Sequence, residues 1–183
     1  MSAPRTIHNL AFVGFMGTGK SAVGRLVATQ LHFEFVDTDD LIEFRAGVSI
    51  AEIFSRHGEA AFREIERKVV AELASLRRTV IATGGGMAAN EENLNSLKKH
   101  ALVVCLWASP EVIWERVREQ THRPLLQNAD PQAHIRGLLA QREPFYRQAD
   151  VLVNTEKRSI KEVAQHAMHQ FHLAQTKPRP LES

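Results

Sequence analysis

Gly14-Phe15-Met16-Gly17-Thr18-Gly19-Lys20-Ser21 fits G-x-x-x-x-G-K-[ST], a pattern whose physics is that of an anion cradle. Backbone N–H groups can close around a polyphosphate only where side chains do not block the approach, so glycines stand at the tightest points. A helix starting at the end of the loop aims its positive dipole at the anion. Lys20 adds a point charge for the terminal phosphates, and the Ser21 hydroxyl can ligate Mg²⁺. A glycine turn that fits the pattern by chance would not need flanking elements. Here Leu10-Ala11-Phe12-Val13 is an apolar run that reads as a buried strand entering the loop, and Val23, Leu26, Val27 and Leu31 recur at helical spacing after it.

Outward from that loop, strands and helices alternate to the end of the chain, which predicts an α/β fold with a mostly parallel sheet covered on both faces. Phe33–Val36 reads as a second strand running into the acidic cluster Asp37-Thr38-Asp39-Asp40. Ser49-Ile-Ala-Glu52 is a capping box for a short helix with Ile50, Ile53 and Phe54 inward. Gly58 breaks the chain before a longer helix with Phe62, Ile65, Val69, Leu73 and Leu76 on one stripe. Thr79–Ala82 is a third strand leading into Thr83-Gly84-Gly85-Gly86, and Asn90 caps a short helix through Leu97. Ala101–Trp107 is a fourth strand, and Ser109-Pro110-Glu111 opens the next helix. Periodicity is lost between Thr121 and Pro131, a polar loop with a proline at each side. It resumes near Gln132 to Arg147, with an end or kink expected at Glu143-Pro144. Asp150–Asn154 is a last strand, and Ser159-Ile-Lys-Glu162 caps a final helix with Ile160, Val163, Ala167, Met168 and Phe171 inward.

The totals agree with one domain over residues 1–174 and a disordered tail over 175–183, in a chain of 183 residues. A formal charge of +2 gives no bulk attraction to nucleic acid or an anionic membrane. No run approaches membrane-spanning length, and the first eight residues lack the apolar core of a signal peptide, so a cytoplasmic protein is expected. Cys105 lies in an apolar strand and reads as a buried, inert thiol.

Six of the ten glycines fall in the first loop and at Gly84–Gly86, both after predicted strands. Ligands of open parallel sheets gather at the carboxyl ends of strands, so these glycines and the acidic cluster should face one crevice. A plain flexible turn remains the alternative for the triplet. The third and fourth strands end without a carboxylate, which leaves the second strand to supply a metal partner for Ser21. If Asp37 and Asp39 stay extended, both point to one side. One would then serve the metal and the other an acceptor hydroxyl. Asp40 reads as a first-turn acid of the next helix. Arg63, Arg123 and Arg142 carry forks suited to carboxylate or phosphate oxygens, although each in isolation fits a solvated surface charge.

Together these residues resemble the shikimate kinases, small phosphate-loop enzymes of the nucleoside-monophosphate-kinase-like group. The resemblance runs from about Leu10 to Phe171. It rests on Gly14–Ser21, Asp37-Thr-Asp39, Gly58-Glu-Ala-Ala-Phe62-Arg63, Thr83–Gly86, Arg123-Pro-Leu-Leu126, and Arg142-Glu-Pro-Phe-Tyr146 followed by Ala149-Asp150. It implies a three-layer α/β/α fold with a five-stranded parallel sheet in order 2-3-1-4-5, substrate-binding helices and a lid over about 121–131. The implied reaction moves the ATP γ-phosphoryl group to the 3-hydroxyl of shikimate. By resemblance, the loop from Gly14 through Met16, Gly17, Thr18, Gly19 and Lys20 to Ser21 and Ala22 holds the nucleotide. Ser21 and Asp37 hold Mg²⁺, and Asp39 contacts the reacting hydroxyl. Arg63 and Arg142 clamp the substrate carboxylate beside Gly84, Gly85 and Gly86. Arg123 reaches the transferring phosphate from the lid, and Arg116 packs on adenine. A monomer is expected, with ATP and shikimate as partners and neither nucleic acid nor membrane.

Two other readings compete with this one. A gluconate or nucleotide kinase would share the loop, but a nucleotide acceptor needs a base pocket that the paired aspartates do not suggest. A non-catalytic ATP-binding module would not need Lys20, Asp37, Asp39 and Arg123 together. His166, His169 and His172 share a spacing in the last helix and read as a solvated face, with no nearby carboxylate or cysteine to complete a metal site.

Overall fold

The structure, a computed structural model, describes residues 5–119 and 130–176. Five strands, β1 (Asn9–Val13), β2 (Glu34–Asp37), β3 (Thr79–Ala82), β4 (Ala101–Trp107) and β5 (Val151–Asn154), form one sheet in the order β2-β3-β1-β4-β5. All four pairings are parallel. The expected strand order is therefore present. Ala82 is in register with both Phe12 and Asp37, and Val13 with Cys105. The carboxyl ends of β1, β2 and β3 thus finish at one level, and their following loops open on the same crevice.

Each strand reads as an unbroken apolar run because helices cover both faces. On one face Leu10, Phe12, Val80 and Val104 meet α1 (Lys20–Leu31) and α7 (Ile160–Thr176) through Val23, Val27, Val163, Ala167 and Phe171. On the other, Ala11, Val13, Ile81, Val103 and Cys105 pack with α3 (Ile50–Leu73), α4 (Glu91–His100), α5 (Pro110–Val117) and α6 (Pro131–Tyr146). The three layers are those the resemblance implied. A nine-residue helix, α2 (Thr38–Ala46), follows β2 directly.

Local chemistry sets the helix starts. Ser49, Asn90, Ser109 and Asp130 each accept a backbone N–H from the first turn of the helix they precede. At α7 the box closes in both directions: Glu162 N donates to Ser159 Oγ at 3.3 Å, and Ser159 N donates to Glu162 Oε2 at 2.7 Å. Gly58, at φ 77° and ψ 176°, breaks α3 where the sequence predicts a break.

Several boundaries differ from the sequence reading. Pro144 lies inside α6, which ends at Tyr146, close to the expected Arg147. Ile160 is 51% exposed: it is the first residue of α7 and stands outside the buried stripe of Val163, Ala164, Ala167 and Phe171. Phe54 is 39% exposed and stacks on Phe62 at 4.8 Å instead of entering the core. Leu76 lies past the end of α3, and α7 runs to Thr176, so the expected tail boundary at 175 falls inside a helix. The lid interior and Arg123 lie outside the described residues; Asp130 and Pro131, placed at the lid's end, belong to the start of α6. No described helix is long and apolar enough to cross a membrane.

Candidate active site

The phosphate loop is shaped by contacts that only its own residues satisfy. Gly14 has φ 129°, and a Cβ there would overlap the Leu106 carbonyl oxygen. Glycine is required on both counts. The Phe15 carbonyl turns inward and accepts two side-chain bonds, from Thr18 Oγ1 and from Lys20 Nζ, each 2.8 Å. Lys20 is the first residue of α1 and is buried, while Met16 is mostly enclosed and Ala22 exposed. Gly19 precedes the helix with φ 94° and brings no side chain to cap it. Arg116 joins the loop to the segment after β5: its Nη1 donates to Gly17 O at 3.2 Å and to Thr155 Oγ1 at 3.0 Å, and its Nη2 to Thr155 O at 3.0 Å.

Ser21 and Asp37 meet across the crevice. The serine hydroxyl donates to Asp37 Oδ2 at 2.6 Å, and Asp37 Oδ1 accepts the Asp39 amide at 3.1 Å. Asp37 thus ends β2 and caps α2 with one oxygen while the other faces the phosphate loop. The premise that Asp37 and Asp39 stay extended is incorrect, because α2 begins at Thr38 and Asp39 sits in its first turn. Strand alternation does not bring Asp39 to the site. A helical turn does, and Thr38 holds that turn. Its hydroxyl oxygen, fully buried, accepts the Gly84 amide at 2.9 Å. Asp40, the other first-turn acid, points away to an exposed pair with Arg25 at 3.6 Å.

The three glycines after β3 each lie against a different charged side chain. At Gly84 a Cβ would overlap Asp39 Oδ1. The Gly85 carbonyl accepts Arg142 Nη1 at 3.1 Å and the Tyr146 hydroxyl at 2.6 Å. A Cβ at Gly86 would stand 3.1 Å from both terminal nitrogens of Arg63. The triplet is therefore a surface that charged side chains of this chain approach closely. Arg142 also lies over the Phe15 ring at 5.3 Å, and Arg63 over the Phe62 ring at 5.3 Å.

Beneath Arg63 sits Glu66, with its side chain 2% exposed and accepting Nη1 at 3.0 Å. Glu59 accepts Nη2 of the same arginine at 3.0 Å from a more exposed position. Burial pushes the Glu66 carboxyl up, with Arg63 and then Arg142 pulling against it. Cys105 behaves as expected for an inert thiol, since burial pushes it up to about 12.

Contacts thus link Ser21 to Asp37, Asp37 to Asp39, Asp39 to Gly84, Arg142 to Gly85 and Arg63 to Gly86 past the carboxyl ends of the strands, with Lys20 and Arg116 bonded to carbonyls of the phosphate loop. Sequence reading gave no role to Thr38, Glu66, Tyr146 or Thr155. For Glu66 and Tyr146 a signal was present: they stand three and four residues after Arg63 and Arg142, one turn away on the same helix face. Among the described residues no group of three or more potential metal-binding side chains occurs. A site with one carboxylate, one hydroxyl and substrate oxygens suits Mg²⁺, which keeps part of its own water shell.

A family model described as shikimate kinase matches residues 16–172. A shikimate kinase of Caldanaerobacter subterraneus subsp. tengcongensis is 47% identical over 165 residues, covering 90% of this chain and 96% of that protein. Among solved structures, shikimate kinase from Acinetobacter baumannii in complex with shikimate superposes with a TM-score of 0.88 at 37% identity. That match covers 94% of this chain and 97% of the other. A gluconokinase from Sinorhizobium meliloti shares the fold alone, with a TM-score of 0.61 at 20% identity over 93% of this chain and 95% of its own.

Proposed function

The chain belongs to the shikimate kinase family, and we propose that its crevice transfers the γ-phosphoryl group of ATP to the 3-hydroxyl of shikimate. The carrying observation is the glycine turn, where Asp39, Arg142 and Arg63 meet Gly84, Gly85 and Gly86 in succession. An acceptor lying on that turn meets two guanidinium forks at one end and a carboxylate at the other. A carboxylate-bearing polyol fits that arrangement. The gluconate kinase alternative has only a shared fold to support it, and a module that merely binds ATP has no use for the acceptor half.

In this reading the loop amides and Lys20 bind the β- and γ-phosphates. Ser21 and Asp37 would hold Mg²⁺, which would offset phosphate charge when bound. Asp39 accepts a hydrogen bond from the 3-hydroxyl and takes its proton as the oxygen attacks phosphorus. Arg63 and Arg142 grip the carboxylate and set the distance of that hydroxyl from the donor. Arg116 supports the nucleotide half from beside Gly17, and Arg123 completes the charge around the transferring group. Phosphoryl transfer is mostly positioning and charge stabilisation, which agrees with a site dominated by cations and backbone amides. A monomer acting in the cytoplasm, where ATP is at hand, completes the reading.

A coupled assay of ADP release tests the proposal against a panel of shikimate, gluconate and nucleotides. A rate that depends on shikimate is expected. Its absence would sink the reading, and turnover with gluconate or a nucleotide would put the alternative in its place. Asp39→Asn should abolish transfer while nucleotide binding, followed by calorimetry, stays within about threefold. Loss of nucleotide affinity would show that Asp39 belongs to the donor half.

A further inference from the structure

Tyr146 has no role in the reaction outlined above, yet its hydroxyl ends on the same atom as the substrate-side arginine. Arg142 and Tyr146 are separated by one turn of α6 and therefore share a face. Their polar ends converge on the Gly85 carbonyl, at 3.1 Å and 2.6 Å. Tyr146 is buried, and burial pushes its phenol up to about 12, so it stays a donor at any working pH. The Arg142 charge is near enough to act on the phenol. Three polar groups are thus locked together: carbonyl, phenol and guanidinium.

We propose that Tyr146 is a positioning residue that fixes the Gly85 carbonyl and thereby sets where the Arg142 guanidinium rests. A carbonyl oxygen has two lone pairs, and here the phenol takes one and Arg142 the other. Without the phenol, the carbonyl would rely on Arg142 alone. The arginine would be held on Gly85 more strongly and be less free to turn a full fork to a carboxylate. The glycine turn would also lose its tie to α6, although Gly84 keeps its tie to α2 through Thr38. The two effects act on acceptor binding, not on the phosphate loop. Apolar anchoring does not depend on the hydroxyl: the Tyr146 ring packs in the core with Ile135, Ala149 and Cys105 among its cluster.

The inference rests on Arg142 being part of the carboxylate clamp, so the experiment keeps the two apart. Tyr146→Phe removes one oxygen and is expected to raise the shikimate KM about five- to tenfold. Its kcat and its ATP KM should stay within about twofold. In an Arg142→Ala background, Tyr146→Phe should add no more than about twofold to the KM. If Arg142→Ala leaves the shikimate KM unchanged, the clamp reading fails. If Arg142→Ala raises it and Tyr146→Phe does not, or if the two effects simply multiply, the positioning role is overturned.

A second measurement does not need the Tyr146→Phe variant. Tyr146 is the only tyrosine in the chain. Protein labelled with 3-fluorotyrosine therefore gives one ¹⁹F resonance that reports this hydroxyl's surroundings. Shikimate should shift it in the parent and leave it unmoved in Arg142→Ala. A resonance indifferent to shikimate in the parent would overturn the proposal.

Discussion

Thr38 Oγ1 accepts the Gly84 amide hydrogen at 2.9 Å, joining the first turn of α2 to the glycine turn after β3. Neither residue is charged, yet the bond decides how close Asp39 stands to the acceptor surface. Both groups are buried, so removing the hydroxyl leaves a donor without its partner. Thr38→Val, nearly isosteric, should lower kcat about tenfold as Asp39 loses its fixed distance from Gly84. Thr38→Ser should restore most of it. Steady-state rates at saturating ATP and shikimate decide the matter, and a kcat within twofold of the parent in Thr38→Val would detach this bond from catalysis.

Gly84 is small for a reason independent of backbone freedom. An alanine Cβ would occupy the space of Asp39 Oδ1. Gly84→Ala should therefore fold but turn over at least about a hundredfold more slowly, as the carboxylate is pushed from the turn. Thermal unfolding close to that of the parent, together with the lost rate, is the expected pair of results. A folded Gly84→Ala enzyme with parental kcat would mean that Asp39 works from another position.

Asp37 divides its two oxygens between α2 and Ser21, and the division can be separated by experiment. Asp37→Asn keeps an oxygen able to cap the Asp39 amide, now 3.1 Å away, but removes the charge beside Ser21. The Mg²⁺ concentration at half-maximal rate should rise about tenfold, with shikimate affinity unchanged. Titrating Mg²⁺ at fixed ATP measures this. An unaltered requirement would place the metal elsewhere.

Much of this arrangement could be read from the chain because it rests on local signals. The phosphate loop, the capping boxes at Ser49 and Ser159, the apolar strands and the break at Gly58 each depend on residues within a turn of one another. The sheet order came from family resemblance, and the structure agrees. What was not legible depends on residues distant in sequence. Thr38 meets Gly84 across 46 positions and Tyr146 meets Gly85 across 61. No periodicity reports such pairs. The error over Asp39 has a local cause instead. A strand that ends in Asp-Thr-Asp can continue or turn into a helix, and the Asp37 side chain, capping the new helix, settles it. Pro144 stays inside α6 because a helix-stop signal is weak when flanking residues are held by tertiary contacts. Arg142 and Tyr146 are both tied to Gly85, one on each side of the proline.

Glu66 should matter more than its distance from the chemistry suggests. It is the buried partner of Arg63, and Glu59, the arginine's other partner, is 66% exposed. Glu66→Ala leaves that weaker, screened pair to orient the guanidinium. The shikimate KM should rise about tenfold with a smaller change in kcat, while the ATP KM holds. Parental KM in a folded Glu66→Ala enzyme would show that Phe62 and Glu59 suffice to hold Arg63.

The opposite end of the sheet carries a pH dependence whose sign can be worked out. Asn9 Oδ1 accepts the Thr79 amide at 3.1 Å, and Asn9 Nδ2 donates to Leu76 O at 2.8 Å, which fixes the amide orientation. The same Nδ2 lies 3.0 Å from His100 Nδ1, so that ring nitrogen must accept and the proton must sit on Nε2. Nε2 is buried with no partner among the described residues. A second proton on Nδ1 would face a donor. Burial, followed by the charges of Arg77, His8 and Arg5, lowers the histidine's pKa below its ordinary value. The unfolded chain therefore binds the proton more readily than the folded one. His100 contributes its full stability above the ordinary histidine range, near 6.5, and that contribution is lost as pH falls through the lower folded value. Urea unfolding at about pH 7.5 and about pH 5.5 should show a lower midpoint at the acid value, before most carboxylates titrate. His100→Gln, which cannot gain a proton, should reduce that drop by roughly half. Equal drops in parent and variant would assign the acid sensitivity to another group.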